Sequence, residues 1–160
     1  METLMTQDQY MKNLAELKQF YVDLDYADLT PASINGKISK VLENFSNITD
    51  YMVGAVLNLN LAKKALKAAK LERDLSYSGY MLSADVSGQK SKELREAKCA
   101  LLSEAAERSL LKIAQDELDA VAYYESVKFI YENLEMALGS MKEQVKLFQN
   151  MLFLDPAGHR

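Results

Sequence analysis

The sequence predicts an all-α fold, an elongated antiparallel helical hairpin of coiled-coil type with a shorter N-terminal helix, three helices in all. Apolar residues recur in alternating steps of three and four over two long stretches, which is the repeat of one helix face. Only six glycines and two prolines interrupt 160 residues, and Pro31 and Pro156 lie where a helix can begin or has ended. The length fits one domain, so we interpret residues 1–160 as a single helical unit.

Helix one is expected over residues 7–24. Thr6, followed three residues later by Gln9, matches a capping box, in which each side chain accepts a hydrogen bond from the other residue's backbone N–H. The apolar positions of this helix are Tyr10, Leu14, Leu17, Phe20, Tyr21 and Leu24.

Helix two is expected over residues 31–75, with Thr30 as the N-cap and Pro31 at the first helical position. Its apolar seam consists of Ile34, Ile38, Val41, Phe45, Ile48, Met52, Ala55, Leu59, Ala62, Leu66 and Ala69. Four further apolar residues widen this face near the middle of the helix, namely Leu42, Val56, Leu57 and Leu61. We therefore expect helix two to meet more than one partner there.

Glycine and serine cluster between the two periodic stretches, in Ser76-Tyr-Ser-Gly-Tyr80 and Asp85-Val-Ser-Gly88. This composition is typical of a loop and predicts a hairpin tip at residues 76–89. Helix three is then expected over residues 90–154. Its seam consists of Cys99, Ala106, Leu110, Ile113, Ala120, Tyr124, Val127, Tyr131, Leu134, Leu138, Met141, Val145, Phe148 and Leu152.

The predicted helices are long, roughly 65 to 70 Å for helix two and 95 Å for helix three at 1.5 Å per residue. Pairing about the predicted tip sets the start of helix two against about residue 134, which leaves residues 134–152 for helix one to cover. Several apolar residues exceed what one seam can bury, namely Phe129, Ile130, Phe148, Met151 and Phe153. We expect self-association to cover this surplus, and a monomeric bundle with exposed apolar residues is the alternative.

The composition argues against several classes of protein. With one cysteine, Cys99, and one histidine, His159, the chain can build neither an internal disulfide nor a Cys/His zinc or Glu-x-x-His di-iron site. Because no histidine base is available near the serine, tyrosine and lysine residues, and no Gly-x-Ser-x-Gly elbow or glycine-rich phosphate loop occurs, we predict no enzymatic activity, cofactor or metal. No signal-peptide pattern or membrane span is found, so we expect a cytoplasmic protein without membrane contact.

One cysteine and several tyrosines lie at or beside the seam of helix three. We interpret Cys99 as a small core residue rather than a reactive thiol. Tyr123, Tyr124 and Tyr131 are interpreted as packed residues, and a platform for base stacking is the alternative.

Positive charge is concentrated around the predicted tip. Residues 63–98 contain nine basic and five acidic residues, a net charge of +4, whereas the remainder of the chain carries −8. The candidate contact residues in this region are Lys63, Lys64, Lys67, Lys70, Arg73, Tyr77, Lys90, Lys92 and Arg95. Lys63, Lys67 and Lys70 share one face of helix two, and Lys92 and Arg95 can line helix three, so we expect the hairpin to bring the two rows together.

A basic end beside tyrosines suits single-stranded nucleic acid, because cations follow phosphates and aromatic rings stack on unpaired bases. A solvated helix face that keeps the protein soluble explains the same charges. Oligomerisation would favour the first interpretation, since repeated weak sites gain avidity.

Three short segments around the hairpin have a counterpart in a known family. They are Ala62-Lys-Lys-Ala-Leu-Lys-Ala68, Tyr77-Ser-Gly79 and Lys90-Ser-Lys-Glu93. In these segments, and in the long leucine- and tyrosine-rich helix that follows, the chain resembles the phage recombination mediators of the UvsY type. The resemblance implies a small helical protein that forms rings in the host cytoplasm and helps to load a recombinase onto single-stranded DNA. It also implies DNA contacts at Lys63, Lys64 and Lys67, with Lys70 and Arg73 adjoining.

Three functions follow from these observations. The first is a non-enzymatic, homo-oligomeric accessory protein that binds single-stranded nucleic acid and assists a recombinase or replication protein. The second is a helical structural, adaptor or assembly-chaperone protein that acts through protein contacts. The third is a phage-encoded inhibitor of a host protein.

Overall fold

The structure is a computed structural model, and it describes residues 4–25 and 28–154. These residues are mostly helical and form no β-strand, which confirms the predicted all-α class. The helices are α1 (Gln7–Leu17), α2 (Ile34–Leu82), α3 (Ala84–Ser87) and α4 (Lys92–Leu154), with a 3-10 turn at Lys18–Phe20. Pro156 and His159, which the sequence reading used, lie outside the described residues.

Two compact units share the long helices α2 and α4. Within the described residues, unit 1 contains residues 4–5 and Val56–Ala122, and unit 2 contains Thr6–Ala55 and residues 123–154. Each unit therefore holds one segment of α2 and one segment of α4, and unit 2 also holds α1.

In unit 1 the end of α2 and the beginning of α4 form an antiparallel hairpin. Arg73 Nη1 lies 3.5 Å from Glu107 Oε1, and the Cys99 thiol donates to the Tyr77 carbonyl at 3.4 Å. Later residues of α2 therefore contact earlier residues of α4, which is the pattern of an antiparallel pair. The buried apolar residues of this unit are Leu59, Ala62, Val86, Cys99 and Ala120.

In unit 2, α1 and the segment after it pack on both long helices. The rings of Tyr10 and Tyr123 lie 5.2 Å apart between centroids, and those of Phe20 and Tyr51 lie 5.8 Å apart. The other large apolar residues buried in this unit are Leu17, Leu29, Ile34, Val41, Ile48, Val127, Ile130, Leu134 and Met141.

The seams predicted for helices two and three are buried. Every predicted seam position of α2 is buried or half-buried, and so is every seam position of α4 whose side chain is described. Leu152, from the predicted seam, and Phe153, from the surplus, have side chains outside that description. The heptad count therefore predicted the inner faces of both long helices.

The packed roles of the cysteine and the tyrosines are confirmed. Cys99 is fully buried, and Tyr123 is 1% exposed beneath α1. Tyr131 packs edge to face on Phe45, with ring centroids 5.2 Å apart, and Tyr124 is half-buried.

Some of the surplus apolar residues stay exposed. Of the residues predicted to widen helix two, Leu42, Val56 and Leu57 are exposed and Leu61 is half-buried. In α4, Phe129 and Met151 are exposed, Ile130 is buried and Phe148 is half-buried. The described chain itself therefore covers only part of this surplus, and self-association stays a prediction.

Helix one begins as predicted and ends earlier than predicted. The capping box is present, with the Gln9 N–H donating to Thr6 Oγ1 at 3.3 Å and the Thr6 N–H donating to Gln9 Oε1 at 2.8 Å. After the 3-10 turn, residues 21–25 are extended instead of helical. Val22 and Leu24 are half-buried between exposed neighbours, an alternation typical of extended chain.

The predicted tip is largely helical. α2 starts at Ile34, three residues later than predicted, because residues 31–33 form a turn in which the Ser33 and Ile34 N–H groups donate to the Thr30 carbonyl. It continues to Leu82, past the predicted end at residue 75. Gly79 lies inside this helix with an ordinary φ. Glycine costs about 1 kcal/mol in a helix, and the partial burial of Tyr77 and Tyr80 offsets such a cost.

A short turn and α3 connect α2 to α4. The Ser83 hydroxyl donates to the Tyr80 carbonyl at 2.7 Å, which closes the last turn of α2. Val86 of α3 is fully buried and anchors the connection. Ser91 Oγ accepts the Leu94 N–H at 3.1 Å and caps α4, which begins two residues later than predicted.

The chain turns later than predicted, so each α2 residue faces a later residue of α4. In unit 2, Val41 and Asn44 share a cavity of about 250 Å³ with Met141, so the beginning of α2 lies near residue 141 and the predicted partner at residue 134 is wrong. α1 lies against residues 123–130 of α4, where Leu14 and Phe129 line a groove. The predicted coverage of residues 134–152 by helix one therefore holds only in part, because α1 lies before that stretch while residues 21–24 line a cavity with Met141.

Candidate nucleic-acid interface

Four lysines on the unit 1 segment of α2 form the strongest candidate site. Lys63, Lys64, Lys67 and Lys70, here called the lysine face, are all exposed. Within the described part of the chain, no acidic side chain forms an ion pair with any of them. Their charges are therefore available to an external anion.

The sequence between these lysines explains why the helix presents them. Alanines alternate with the lysines from residue 62 to residue 70, and alanine is the best helix former. Ala62 is fully buried and Ala65 and Ala69 are half-buried. These small residues hold the inner side of α2 against the rest of unit 1, so the long lysine side chains point to solvent.

Arg73 differs from the lysines because carboxylates surround its guanidinium. Its Nε lies 2.7 Å from Asp74 Oδ1 and its Nη1 lies 3.5 Å from Glu107 Oε1. The second contact joins α2 to α4. We therefore interpret Arg73 as a residue that pairs the helices, although the sequence reading placed it among the nucleic-acid contacts.

Tyr77 lies on α2 and not in a loop. Its side chain is half-buried, and its carbonyl accepts the Cys99 thiol proton at 3.4 Å. Tyr77 follows Lys70 by seven residues, so it lies on the same face of the helix, about 10 Å further along. The part of the ring that stays exposed can offer an edge to a base that reaches beyond the lysine face.

The basic residues on the other side of the turn are less uniform. Lys90 is exposed, Lys92 Nζ lies 3.7 Å from Glu96 Oε1, and Arg95 is half-buried with its Nε buried and without a hydrogen-bond partner. Lys98, which contributed to the charge count, pairs with Asp85 at 3.4 Å.

The predicted meeting of the two basic rows does not occur. Because Arg73 reaches Glu107, the lysine face lies beside α4 residues that follow Glu107, and Lys92 and Arg95 lie near the turn. The basic residue of α4 that lies at the same height along the hairpin as the lysine face is Lys112, and its side chain is exposed. Sequence reasoning missed Lys112 because it assumed a turn about six residues too early.

In the residues that the structure covers, no group of three or more His, Cys, Asp or Glu side chains could hold a metal ion. Glu93, at the start of α4, has its pKa lowered by its own backbone N–H and by the Ser91 hydroxyl, which is the electrostatics of a helix start. Over the same residues, no helix has both the length and the apolar character needed to cross a membrane.

Comparison with protein-family models, with curated proteins and with solved structures gives no match to this chain.

Proposed function

We propose that the protein is a non-enzymatic, self-associating accessory protein that binds single-stranded nucleic acid through the lysine face. Its long helices pair as a coiled coil, and it assists a recombinase or replication protein, as the resemblance to UvsY-type mediators implies. The observation that carries this proposal is the set of four neighbouring exposed cations that lack an ion-pair partner in the described chain.

The free state of these lysines matters for binding. A cation that is already paired must give up its carboxylate before it can neutralise a phosphate, whereas Lys63, Lys64, Lys67 and Lys70 need only release water and counterions. Surface ion pairs such as that of Lys92 with Glu96 contribute little to the stability of a fold. The lysine face therefore loses little stability by having no such pairs.

Tyr77 favours a single strand over a duplex. Bases of a single strand are free to stack on an aromatic ring, whereas the bases of a duplex are already stacked and paired. Tyr77 lies on the lysine face side of α2, so a strand that follows the lysines passes the exposed part of its ring.

The direct test is the binding of a labelled oligonucleotide at several salt concentrations, followed by fluorescence anisotropy. We expect the logarithm of the affinity for a single strand to fall with the logarithm of salt, with a slope of about −3 for four contacts at 0.7 per contact. A duplex of the same sequence should bind more weakly. Absence of single-strand binding at low salt would contradict the proposal.

A second candidate is a scaffold or adaptor that acts through protein contacts alone. The exposed leucines of both long helices favour it, because apolar side chains on a helix surface mark protein interaction sites. This candidate predicts stable assemblies in the light-scattering mass together with no salt-dependent oligonucleotide binding, so the same titration separates the two functions.

A further inference from the structure

One guanidinium in unit 1 connects a face of α2 to a face of α4. Arg73 Nε lies 2.7 Å from Asp74 Oδ1, and Arg73 Nη1 lies 3.5 Å from Glu107 Oε1. Because the guanidinium is a small planar group, the two carboxylates that it contacts lie on the same side of the hairpin. This contact, here called the guanidinium bridge, therefore shows which faces of the two helices are neighbours.

Three residues of the lysine face lie on the same face of α2 as Asp74. Lys70, Lys67 and Lys63 precede Asp74 by four, seven and eleven residues, and such spacings keep residues on one helix face. Lys64 follows Lys63 by one residue and lies about 100° further around the helix. The three aligned lysines, here called the lysine row, thus start next to the guanidinium bridge and extend away from the turn.

Two exposed leucines follow Glu107 on α4 at matching spacings. Leu111 and Leu118 come four and eleven residues after Glu107, and their side chains are 69 and 58% exposed. The half-buried Ala114 lies between them, seven residues after Glu107. These spacings place all three residues, here called the leucine row, on the face of α4 that contains Glu107.

The lysine row and the leucine row lie side by side. The two helices are antiparallel, so residues at equal distances from the guanidinium bridge lie at the same height along the hairpin. Lys70 and Leu111 are each four residues from the bridge carboxylates, and Lys63 and Leu118 are each eleven residues from them. A row of cations and a row of apolar side chains therefore run next to each other for about 10 Å.

We infer that the bases of a bound single strand pack on the leucine row while its phosphates contact the lysine row. A single strand carries its charged backbone along one edge and its unpaired bases along the other, which matches the two rows. Apolar base faces leave water when they contact the leucines, and that transfer is favourable. This inference rests on the proposed function and deepens it, because it names the surface that contacts the bases.

The lysine row argues against an apolar protein helix as the occupant of this surface. A partner that covers the leucines with apolar side chains would also cover the ammonium groups beside them, and the burial of unpaired charge is costly. A nucleic-acid strand presents negative charge and apolar faces next to each other, so it satisfies both rows at once. Charge complementarity therefore selects the strand.

The carboxylates near the leucine row lie off its outer side. Glu107 is already paired with Arg73. Asp116 and Glu117 precede Leu118 by two and one residues, so they lie about 200° and 100° around α4 from it. Glu117 is also half-buried. A strand on the two rows therefore meets the lysines on one side and an uncharged surface on the other.

The double variant Leu111→Ala/Leu118→Ala tests the leucine row. Its helix should stay intact, because both side chains are exposed and alanine is the better helix former. We expect the affinity for a single strand to fall on the order of tenfold, since apolar contact with the bases is lost. The slope of log affinity against log salt should keep its wild-type value, because every phosphate contact remains. Wild-type affinity in this variant would overturn the inference.

A strand of the same length that carries no bases separates base contacts from every other effect. Wild type should bind this abasic strand about as weakly as the double variant binds the normal strand. The double variant should bind the abasic strand no more weakly than wild type does, because the contact is already absent. If the substitutions weaken binding of the abasic strand as much as binding of the normal strand, the leucines do not contact bases and the inference is overturned.

The matched control is Leu94→Ala/Leu101→Ala. These leucines are 55 and 74% exposed on the same helix and are also seven residues apart. They precede Glu107 by thirteen and six residues, so they lie about 140° and 120° around α4 from the guanidinium bridge. The control should keep the wild-type affinity, and circular dichroism confirms that both variants stay helical. Equal losses in the two variants would contradict a specific role of the leucine row.

Photocrosslinking of wild type gives a readout that needs no substitution. A single strand that contains thiothymine forms covalent bonds, under ultraviolet light, with side chains that its bases touch. We expect the crosslinked peptides, identified by mass spectrometry, to include residues between Glu107 and Leu118. Crosslinks confined to other parts of the chain would overturn the inference.

The outcomes separate this inference from the proposed function. If wild type binds no single strand at low salt, the proposed function and the inference are both wrong. If wild type binds with a salt slope that depends on the lysine face, and Leu111→Ala/Leu118→Ala binds equally well, the proposed function stands and the inference alone is wrong.

Discussion

The side-chain amide of Asn133 on α4 makes two hydrogen bonds to the backbone of Val22. The Val22 N–H donates to Asn133 Oδ1 at 2.9 Å, and Asn133 Nδ2 donates to the Val22 carbonyl at 3.0 Å. A single amide thus satisfies both polar groups of one residue, as a neighbouring strand would. Because Asn133 is only 9% exposed, water cannot easily replace these bonds.

Buried asparagines on α2 hold other parts of the N-terminal chain in the same way. Asn44 Nδ2 donates to the Phe20 carbonyl at 3.3 Å in unit 2. In unit 1, Asn58 Oδ1 accepts the Met5 N–H at 2.9 Å. Each asparagine fixes one short stretch of backbone outside the α-helices, which explains why polar residues are tolerated on these buried faces.

We predict that Asn133→Ala lowers the free energy of unfolding by about 2 kcal/mol, because it leaves the N–H and carbonyl of Val22 without their partner. Urea denaturation measures this loss. Asn60→Ala is the control, since Asn60 is exposed on α2, and its effect should stay within about 0.5 kcal/mol. Equal effects of the two substitutions would show that the amide bonds contribute nothing.

These asparagines also explain why the end of helix one could not be predicted. Tyr21 and Leu24 fit a helical repeat with the residues before them, so the heptad count extended helix one to residue 24. The competing signal was the alternation from Val22 to Asp25, which is typical of extended chain. Only the tertiary bonds of Asn44 and Asn133 decide between the two, and no local pattern shows them.

At the hairpin tip the sequence predicted a loop where the structure has a helix, whereas at the end of helix one it predicted a helix where the chain is extended. Serine and glycine between residues 76 and 88 suggested a loop, yet α2 continues to Leu82. Helix propensity is a weak prior, and packing in unit 1 outweighs the cost of one glycine. The same error moved the register, which is why Lys92 and Arg95 were placed beside the lysine face and Lys112 was missed.

Gly79 gives a direct test of this helical assignment. A Cβ added at Gly79 would meet no atom within 4 Å, and its φ is ordinary for a helix. We predict that Gly79→Ala raises the free energy of unfolding by about 0.5 to 1 kcal/mol in urea denaturation. Gly139→Ala in α4, which is equally unobstructed, should give a similar gain. A loss of stability at Gly79 alone would indicate a loop there.

The contact between Tyr51 and Glu16 predicts a stability change at high pH. The Tyr51 hydroxyl donates to Glu16 Oε2 at 2.7 Å. This hydrogen bond, with a smaller effect of burial, raises the pKa of Tyr51 from 10.0 to about 12. The pKa is higher in the folded state, so the contact stabilises the fold fully below pH 10 and loses its effect as the pH rises from 10 to 12.

Thermal melts of wild type and Tyr51→Phe across this pH range check the expectation. The phenylalanine variant lacks the hydroxyl, so the stability difference between the two proteins should be largest below pH 10 and should shrink toward pH 12. Glu16→Gln removes the carboxylate and should lower the pKa of Tyr51 in a spectrophotometric titration. A constant difference between wild type and Tyr51→Phe at all pH values would contradict the assignment.

The sequence predicted where the lysine face lies, but it did not predict which basic residues form ion pairs with carboxylates. The run of lysines and alanines predicted exposed charges on one stretch of helix, and the structure has them there. Charge counting treats Arg73 and Lys63 alike, although Arg73 is held by Asp74 and Glu107. Ion pairing depends on which residues of α2 and α4 lie side by side, and the predicted turn, placed too early, gave the wrong pairs.

The triple variant Lys63→Ala/Lys64→Ala/Lys67→Ala tests whether these free cations bind nucleic acid. The helix should stay intact, because alanine is the better helix former and the side chains are exposed. Losing three phosphate contacts should flatten the plot of log affinity against log salt by roughly two for a single strand, at about 0.7 per contact. A charge-matched control, Lys12→Ala/Lys142→Ala/Lys146→Ala, removes three exposed lysines of unit 2 and should keep the wild-type slope. If both triple variants lose the same affinity, net charge rather than the lysine face drives binding, and if neither loses any, the lysine face is not the site.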